Sequence, residues 1–274
     1  MFFLASSLWA ASDYCFNCHL TQEGASIKFK KDVHYAAALS CADCHGGDPK
    51  INDMNKSKTP EKGFRLRIKR QDDPQFCAGC HSNTKFMATY PSKLPVNQLA
   101  EYQRSVHGRK LASGNGKAAE CVDCHGIHEI RKVSDTDSPA ASKNISATCA
   151  TCHAKTMEAF KGSPHDGKPL TTCAGCHGSH SVEEARTTML TGDDAPCANC
   201  HKADSKGAKA AAEIADLLDT LQKGGADSKE ALARARVAVH TFNVAAIKRA
   251  IEDAKTPPAA SQAAPQPPSG ARGE

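Results

Sequence analysis

All fourteen cysteines of this 274-residue chain fall into Cys-x-x-Cys pairs, and a histidine follows each pair at once. The pairs are Cys15/Cys18, Cys41/Cys44, Cys77/Cys80, Cys121/Cys124, Cys149/Cys152, Cys173/Cys176 and Cys197/Cys200; the histidines are His19, His45, His81, His125, His153, His177 and His201. This is the attachment motif of c-type haem. Two thiols at that spacing reach the two vinyl groups on one edge of a porphyrin, and the next residue offers an imidazole nitrogen to the iron. Zinc would pair one Cys-x-x-Cys with another, which an odd number of pairs does not allow, and it gives no role to the following histidine. Disulfides leave that histidine equally unexplained.

Seven covalent haems also account for an unusual composition. Leu, Ile, Val and Phe together make up about 15 per cent of the chain, below the roughly 20 per cent expected where side chains fill the core. One porphyrin for about every 39 residues supplies the missing apolar mass, and cross-linking offsets chain entropy. The formal charge of +5 is too small to argue for a nucleic-acid partner. Fourteen propionates and seven ferric irons turn it to about −2, and full reduction to about −9, so the basic excess reads as compensation for propionates.

The motifs lie in an internal repeat. Each unit runs CxxCH, aromatic-x-x-Ser/Asp-x-His, then CxxCH-Gly. The first has Phe29, Asp32, His34 and Gly46; the second Tyr102, Ser105, His107, Gly126 and His128; the third Phe160, Ser163, His165, Gly178 and His180. The seventh motif closes the series as a half-unit. Six histidines lie outside the motifs: His34, His107, His128, His165, His180 and His240. They are the candidate distal ligands, one fewer than the seven proximal ones. His128 is expected to serve a neighbouring haem, because the short loop from His125 cannot cross a porphyrin. Asp48 stands where His128 and His180 stand, which points the deficit to the first unit. Met87 or Met54 as ligand, an open or water-held iron, and a residue from a partner protein are the fillings the sequence leaves.

Residues 1–12 read as a signal-peptide remnant, a short apolar run ending in small residues, and ten such residues are too few to span a bilayer. Residues 13–75 are expected to form an N-terminal dihaem unit and 76–202 a pentahaem region. Residues 203–255 read as a helical hairpin carrying His240, with helices over 203–223 and 229–255 joined at Gly224–Gly225. Residues 256–274 form a Pro/Ala-rich tail without periodicity. Alternation of Phe64, Leu66 and Ile68 with Arg65, Arg67 and Lys69 predicts a half-buried strand.

The seven CxxCH motifs, the Ser-x-His-Gly run at Ser105–Gly108, the CHGxH runs ending at His128 and His180, and the His240 segment resemble multihaem c-type cytochromes. The likeness is to the class III and NapC/NirT-related groups, over about residues 13–254. It implies a mostly α, haem-organised fold with much irregular loop and little or no sheet, and bis-His, low-spin, low-potential haems in close contact. It further implies electron transport in periplasmic or extracellular anaerobic respiration, with other cytochromes or a quinol-oxidising membrane protein as redox partners. Membrane association, and oligomer or filament assembly through the tail and the basic Arg65–Arg70 segment, are compatible with it. The rival reading is a reductase of a small nitrogen or sulfur oxyanion at the iron lacking a distal histidine. Every motif ends in His, so the lysine proximal ligand of nitrite-reducing multihaem enzymes is absent.

Overall fold

The computed structural model describes residues 13–19, 24–91, 93–184 and 186–255; the signal-peptide remnant and the tail expected from the sequence lie outside them. The described residues are helical or irregular, with no strand among them. They divide into two compact units. One runs up to Met157 and resumes over Gly167–Ala185; the other comprises Glu158–Asp166 and the chain from Arg186 onward.

The first unit holds six of the seven motifs, five of them on helices of five to nine residues, Tyr14–His19, Cys41–His45, Asp73–His81, Cys121–His125 and Cys173–His177, while the fifth motif begins on Ile145–Ala150 and runs on into a turn. Helices this short do not persist in water on their own, because one turn fixes several residues for a single hydrogen bond. Side-chain packing offers little support. The buried apolar residues are few and scattered, chiefly Phe16, Phe29, Ala78, Met87, Leu111, Ala118 and Ala141. Phe16, Phe29 and Tyr35 form one small aromatic cluster, with ring centroids 5.5–6.0 Å apart. Here the polypeptide is a wrapping rather than a core.

The second unit is built conventionally. Ile214, Leu218 and Leu221 of Lys206–Lys223 pack with Ala231 and Ala235 of Lys229–Ala238 and with Ile247 and Ile251 of Val244–Lys255. The hairpin forms as the periodicity predicts, but its return arm is two helices, not one. A 3-10 turn at Val239–Thr241 and a left-handed Phe242 (φ 51°) interrupt it. The cause is local. Thr241 donates its hydroxyl to the Ala238 carbonyl and accepts from Asn243 N–H, and the Asn243 side chain caps Ala246 N–H at 3.2 Å. The break presents Phe242 to Phe160 and, at 4.1 Å between centroids, to His165.

The strand expected at 64–69 does not form. Leu66 is 74% exposed, so alternation does not mark a buried face here. Instead the segment straps the Cys41–His45 helix through its backbone: Arg65 N–H donates to the His45 carbonyl at 2.7 Å. It ends on Arg70, whose guanidinium binds the Gly116 and Ala118 carbonyls and the Glu120 and Asp123 carboxylates.

Candidate haem-binding sites

Each attachment motif occupies about one helical turn, and the turn is started and stopped by its neighbours. Ser40 accepts from Ala42 N–H and, with Asp43, forms a capping box; Glu120 and Asp123 form another; Thr172 accepts from Gly175 N–H. After the histidine, Gly46, Gly126 and Gly178 take φ of 68°, 82° and 81°, a region side chains avoid. The chain therefore turns away directly behind the proximal imidazole, which explains the recurring Cys-His-Gly.

The distal histidines are positioned by the second half of the repeat. In each unit the Ser/Asp two residues ahead opens the helical turn or bend that carries the histidine. Asp32 accepts from His34 N–H at 2.9 Å, Ser105 from Gly108 N–H at 2.9 Å, and Ser163 from His165 N–H at 3.3 Å. Ser105 also donates to the Tyr102 carbonyl at 2.6 Å, and Tyr102 is anchored through its hydroxyl to the Ala119 carbonyl. Gly108 is needed where it stands, because a Cβ there would meet the Tyr102 carbonyl oxygen at 2.0 Å.

Five proximal imidazoles each face a distal one. The pairs are His45–His128 (5.9 Å between ring centroids), His81–His34 (5.8 Å), His125–His180 (6.0 Å), His153–His107 (6.2 Å) and His201–His165 (5.9 Å). Two metal–imidazole bonds of about 2 Å, with each ring centre about 1 Å beyond its nitrogen, separate centroids by about 6 Å. The residues therefore fit an iron held between two histidines.

The pairing obeys a rule that no single repeat displays. The Ser/Asp-x-His histidine of one repeat faces the first motif of the next: His34 meets His81, His107 meets His153, and His165 meets His201. The Cys-His-Gly-x-His histidine faces the second motif of the repeat before: His128 meets His45, and His180 meets His125. By this rule Asp48 stands for a histidine that would serve a motif preceding the first repeat. It lies away from any motif imidazole, its carboxylate bound to Lys62 at 3.0 Å and to Lys50 N–H.

Several rings are oriented from behind, leaving Nε2 for a metal. His34 Nδ1 donates to Asp32 Oδ1 at 2.8 Å, His45 Nδ1 to the Arg65 carbonyl at 3.0 Å, and His240 Nδ1 to the Arg236 and Val237 carbonyls at 3.1 and 3.2 Å. Asp32 is almost wholly buried. Burial alone would raise its pKa, but hydrogen bonds from His34 and from Ile130 N–H (2.6 Å) hold it below the usual carboxylate value. Burial, and then the facing imidazole, lowers the pKa of His81, His125, His128 and His165; His107 is lowered by burial and then by His153. Each shift favours the neutral imidazole, the form that a metal binds. His128 has a left-handed backbone (φ 60°).

As free thiols the first six attachment pairs adjoin in sequence order. Cys15 and Cys41 are close enough to influence one another, and burial pushes them up to about 12 and about 11. Cys44 feels Cys77 and Cys80, and Cys124 feels Cys152. Cys77 lies beside Cys121, and Cys149 beside Cys173. Contacts within a repeat run through the first cysteines, and contacts between repeats begin at the second cysteine of the even-numbered motif. Beside Cys77 and Cys121, Asp73 Oδ2 and Glu120 Oε2 are buried without a donor. Burial and then Asp73 push Glu120 up to about 7.

The two cysteines of a pair differ in cover. The first cysteine is half-buried in all seven motifs, whereas Cys18, Cys80, Cys152, Cys176 and Cys200 are exposed. Among the second cysteines, Cys44 and Cys124 are half-buried. The reason lies in the packing of motif on motif. First cysteines meet in pairs within a repeat, Cys15 with Cys41, Cys77 with Cys121 and Cys149 with Cys173. A residue three positions on is rotated by most of a turn and leaves that contact. Cys44 and Cys124 regain cover because the next repeat reaches them.

The remaining predicted residues are placed as follows. Met87 is buried on Thr84–Met87, and Met54 is 65% exposed at the start of Met54–Ser57. His177 closes the Cys173–His177 helix, and His240 sits in the 3-10 turn of the second unit. His19 faces an amine: its Nε2 lies 3.2 Å from Lys58 Nζ. Sequence reasoning missed Lys58, since a lone lysine in a polar turn carries no periodicity or motif.

The cytochrome c3 family matches residues 33–154, and the family of cytochrome c554 and c-prime matches residues 6–46. The cytochrome c-type protein NapC of Haemophilus influenzae is 28% identical over 150 residues, or 52% of this chain and 55% of that protein. These likenesses support a multihaem c-type cytochrome. The match to NapC spans about half of that relative's length. No solved structure matches the chain. The cytochrome c families matched carry covalently bound haem with iron, which agrees with the paired cysteines and facing imidazoles of this chain.

Proposed function

We propose that the chain carries seven haem c groups and relays electrons between redox proteins on the periplasmic or extracellular side of a membrane. The observation that carries this reading is the set of five facing imidazole pairs at 5.8–6.2 Å. When bound, the haem irons supply one-electron redox chemistry. The chain's own task is to ligate, space and tune them. His34, His107, His128, His165 and His180, with the motif histidines they face, would hold those irons, and an iron so held would have no place for substrate. His240, turned by the Arg236 and Val237 carbonyls, is the sixth distal histidine. Thiols that adjoin from the first motif to the sixth support a path in sequence order through the first unit. Asp32 and the Arg65 carbonyl tune individual potentials through the imidazoles they orient.

No described helix is long and apolar enough to cross a membrane. Intact mass and haem content of protein matured in a cytochrome-producing host test the reading: seven haems per chain are expected, with stepwise reduction and low-spin spectra dominating. A preparation with fewer than seven under those conditions, or one whose haems do not reduce, overturns it.

A further inference from the structure

We infer that Lys58 is the distal ligand of the first haem, so that the iron bound by His19 is closed by an amine and not by a methionine or an open position. This rests on the haem reading above.

The placement of the side chain carries the assignment. His19 Nε2, the nitrogen that a motif histidine offers to iron, lies 3.2 Å from Lys58 Nζ. The two donors therefore face each other as the five imidazole pairs do. Two bonds of about 2 Å each would set the nitrogens about 4 Å apart, and the four-carbon lysine stem adjusts over that range.

The surrounding turn is built to deliver the amine. Asp53 caps Met54–Ser57 by accepting from Asn55 and Lys56 N–H at 2.9 and 3.2 Å. Ser57 is buried, and its carbonyl accepts from Asp48 N–H at 3.0 Å, which pins the turn against the loop behind the second motif. Lys58 is only half-exposed and lies 5.7 Å from the centre of the Phe64 ring. Its head is also near Cys15, an attachment thiol of the same motif.

The pairing rule sets Lys58 apart. The first motif of the second and third repeats takes its distal histidine from the repeat before, whereas at the first motif the group against His19 Nε2 is a local amine, that of Lys58. The two methionines do not occupy that place: Met54 points to solvent from the same turn, and Met87 is buried on another helix.

The test uses the full, seven-haem protein. Electron paramagnetic resonance and near-infrared magnetic circular dichroism of the oxidised form should show every haem low-spin, one with a histidine–amine charge-transfer band. The reduced form should bind little carbon monoxide. Lys58→Ala should convert about one haem in seven to high-spin and bind about one carbon monoxide per chain. Lys58→Arg, which keeps the charge but cannot ligate, should do the same, and Lys58→His should restore the low-spin state. The unchanged bis-histidine signals in each sample report that the variant has folded. A wild-type protein that already holds one high-spin, carbon-monoxide-binding haem would overturn the assignment, as would a Lys58→Ala spectrum identical to wild type. Haem content measured on the same samples separates this failure from failure of the seven-haem reading.

Discussion

His128 belongs to the second repeat, and its imidazole lies 5.9 Å from that of His45 in the first, with the rings 26° from parallel. The relation is reciprocal along the chain. The first repeat sends His34 forward to His81 at 5.8 Å and receives His128 in return. Irons held between these two imidazole pairs would clasp successive repeats, and ligation would do the work that a shared hydrophobic core does elsewhere. A backbone amide completes the clasp: Ile130 N–H, two residues after His128, reaches Asp32 at 2.6 Å, two residues before His34.

Breaking one clasp should be visible one haem at a time. His128→Ala removes the partner of His45, so about one haem in seven should turn high-spin and bind carbon monoxide. The affected haem should be the second, whose attachment lies 84 to 87 residues before the mutation. Changes confined to the fourth haem, whose motif adjoins His128 in sequence, would contradict the interlocked pairing.

Asp32 joins structure to potential. Asp32→Ala leaves His34 Nδ1 and Ile130 N–H without their acceptor in a buried place, at a cost of about 2–3 kcal/mol of stability. Loss of the carboxylate behind the ring makes His34 a weaker donor to the third iron. One haem potential should rise by on the order of tens of millivolts. Equilibrium unfolding and a spectroelectrochemical titration read the two effects separately.

Gly108 has no room for a side chain. Gly108→Ala drives a Cβ to 2.0 Å from the Tyr102 carbonyl, so the turn bearing His107 must shift. A loss of about 2–4 kcal/mol is expected, together with a weakened low-spin signal from the fifth haem. Gly79→Ala, at an open position, should leave both unchanged.

The carboxyl pair beside the third and fourth motifs gives stability a definite pH dependence. Burial and Asp73 raise Glu120 from an ordinary 4.5 to about 7, so the folded chain holds a proton that the unfolded chain has lost. That contribution is complete below pH 4.5 and disappears as pH rises through about 7. The melting temperature should fall between pH 5 and pH 8, and Glu120→Gln should flatten the change. Asp32, whose pKa is lowered, acts in the opposite sense below its ordinary value of 3.8 and does not overlap this window.

What the sequence determined alone is the covalent chemistry and its local geometry. Two cysteines, a histidine and a glycine within six residues specify a haem anchor by themselves, because thioether reach, helical turn and chain reversal all act over that span. The Ser/Asp-x-His cap is legible for the same reason, and so is the Ile214–Leu218–Leu221 stripe of the second unit. Which imidazole faces which was decided only by tertiary structure: His34 and His81 are 47 residues apart, and no spacing rule ties them. The unequal cover of paired thiols has the same origin, since Cys44 is sheltered by the next repeat and Cys18 is not. The departure at Asp48 was visible, but its meaning depended on a pairing that skips from repeat to repeat. The basic segment at 64–69 alternates like a strand yet lies exposed, because its partners are the His45 backbone and Arg70's acceptors, not a sheet. Lys58 acquires its place through a capped turn folded back onto His19 across 39 residues of chain, and contacts of that range are settled by packing.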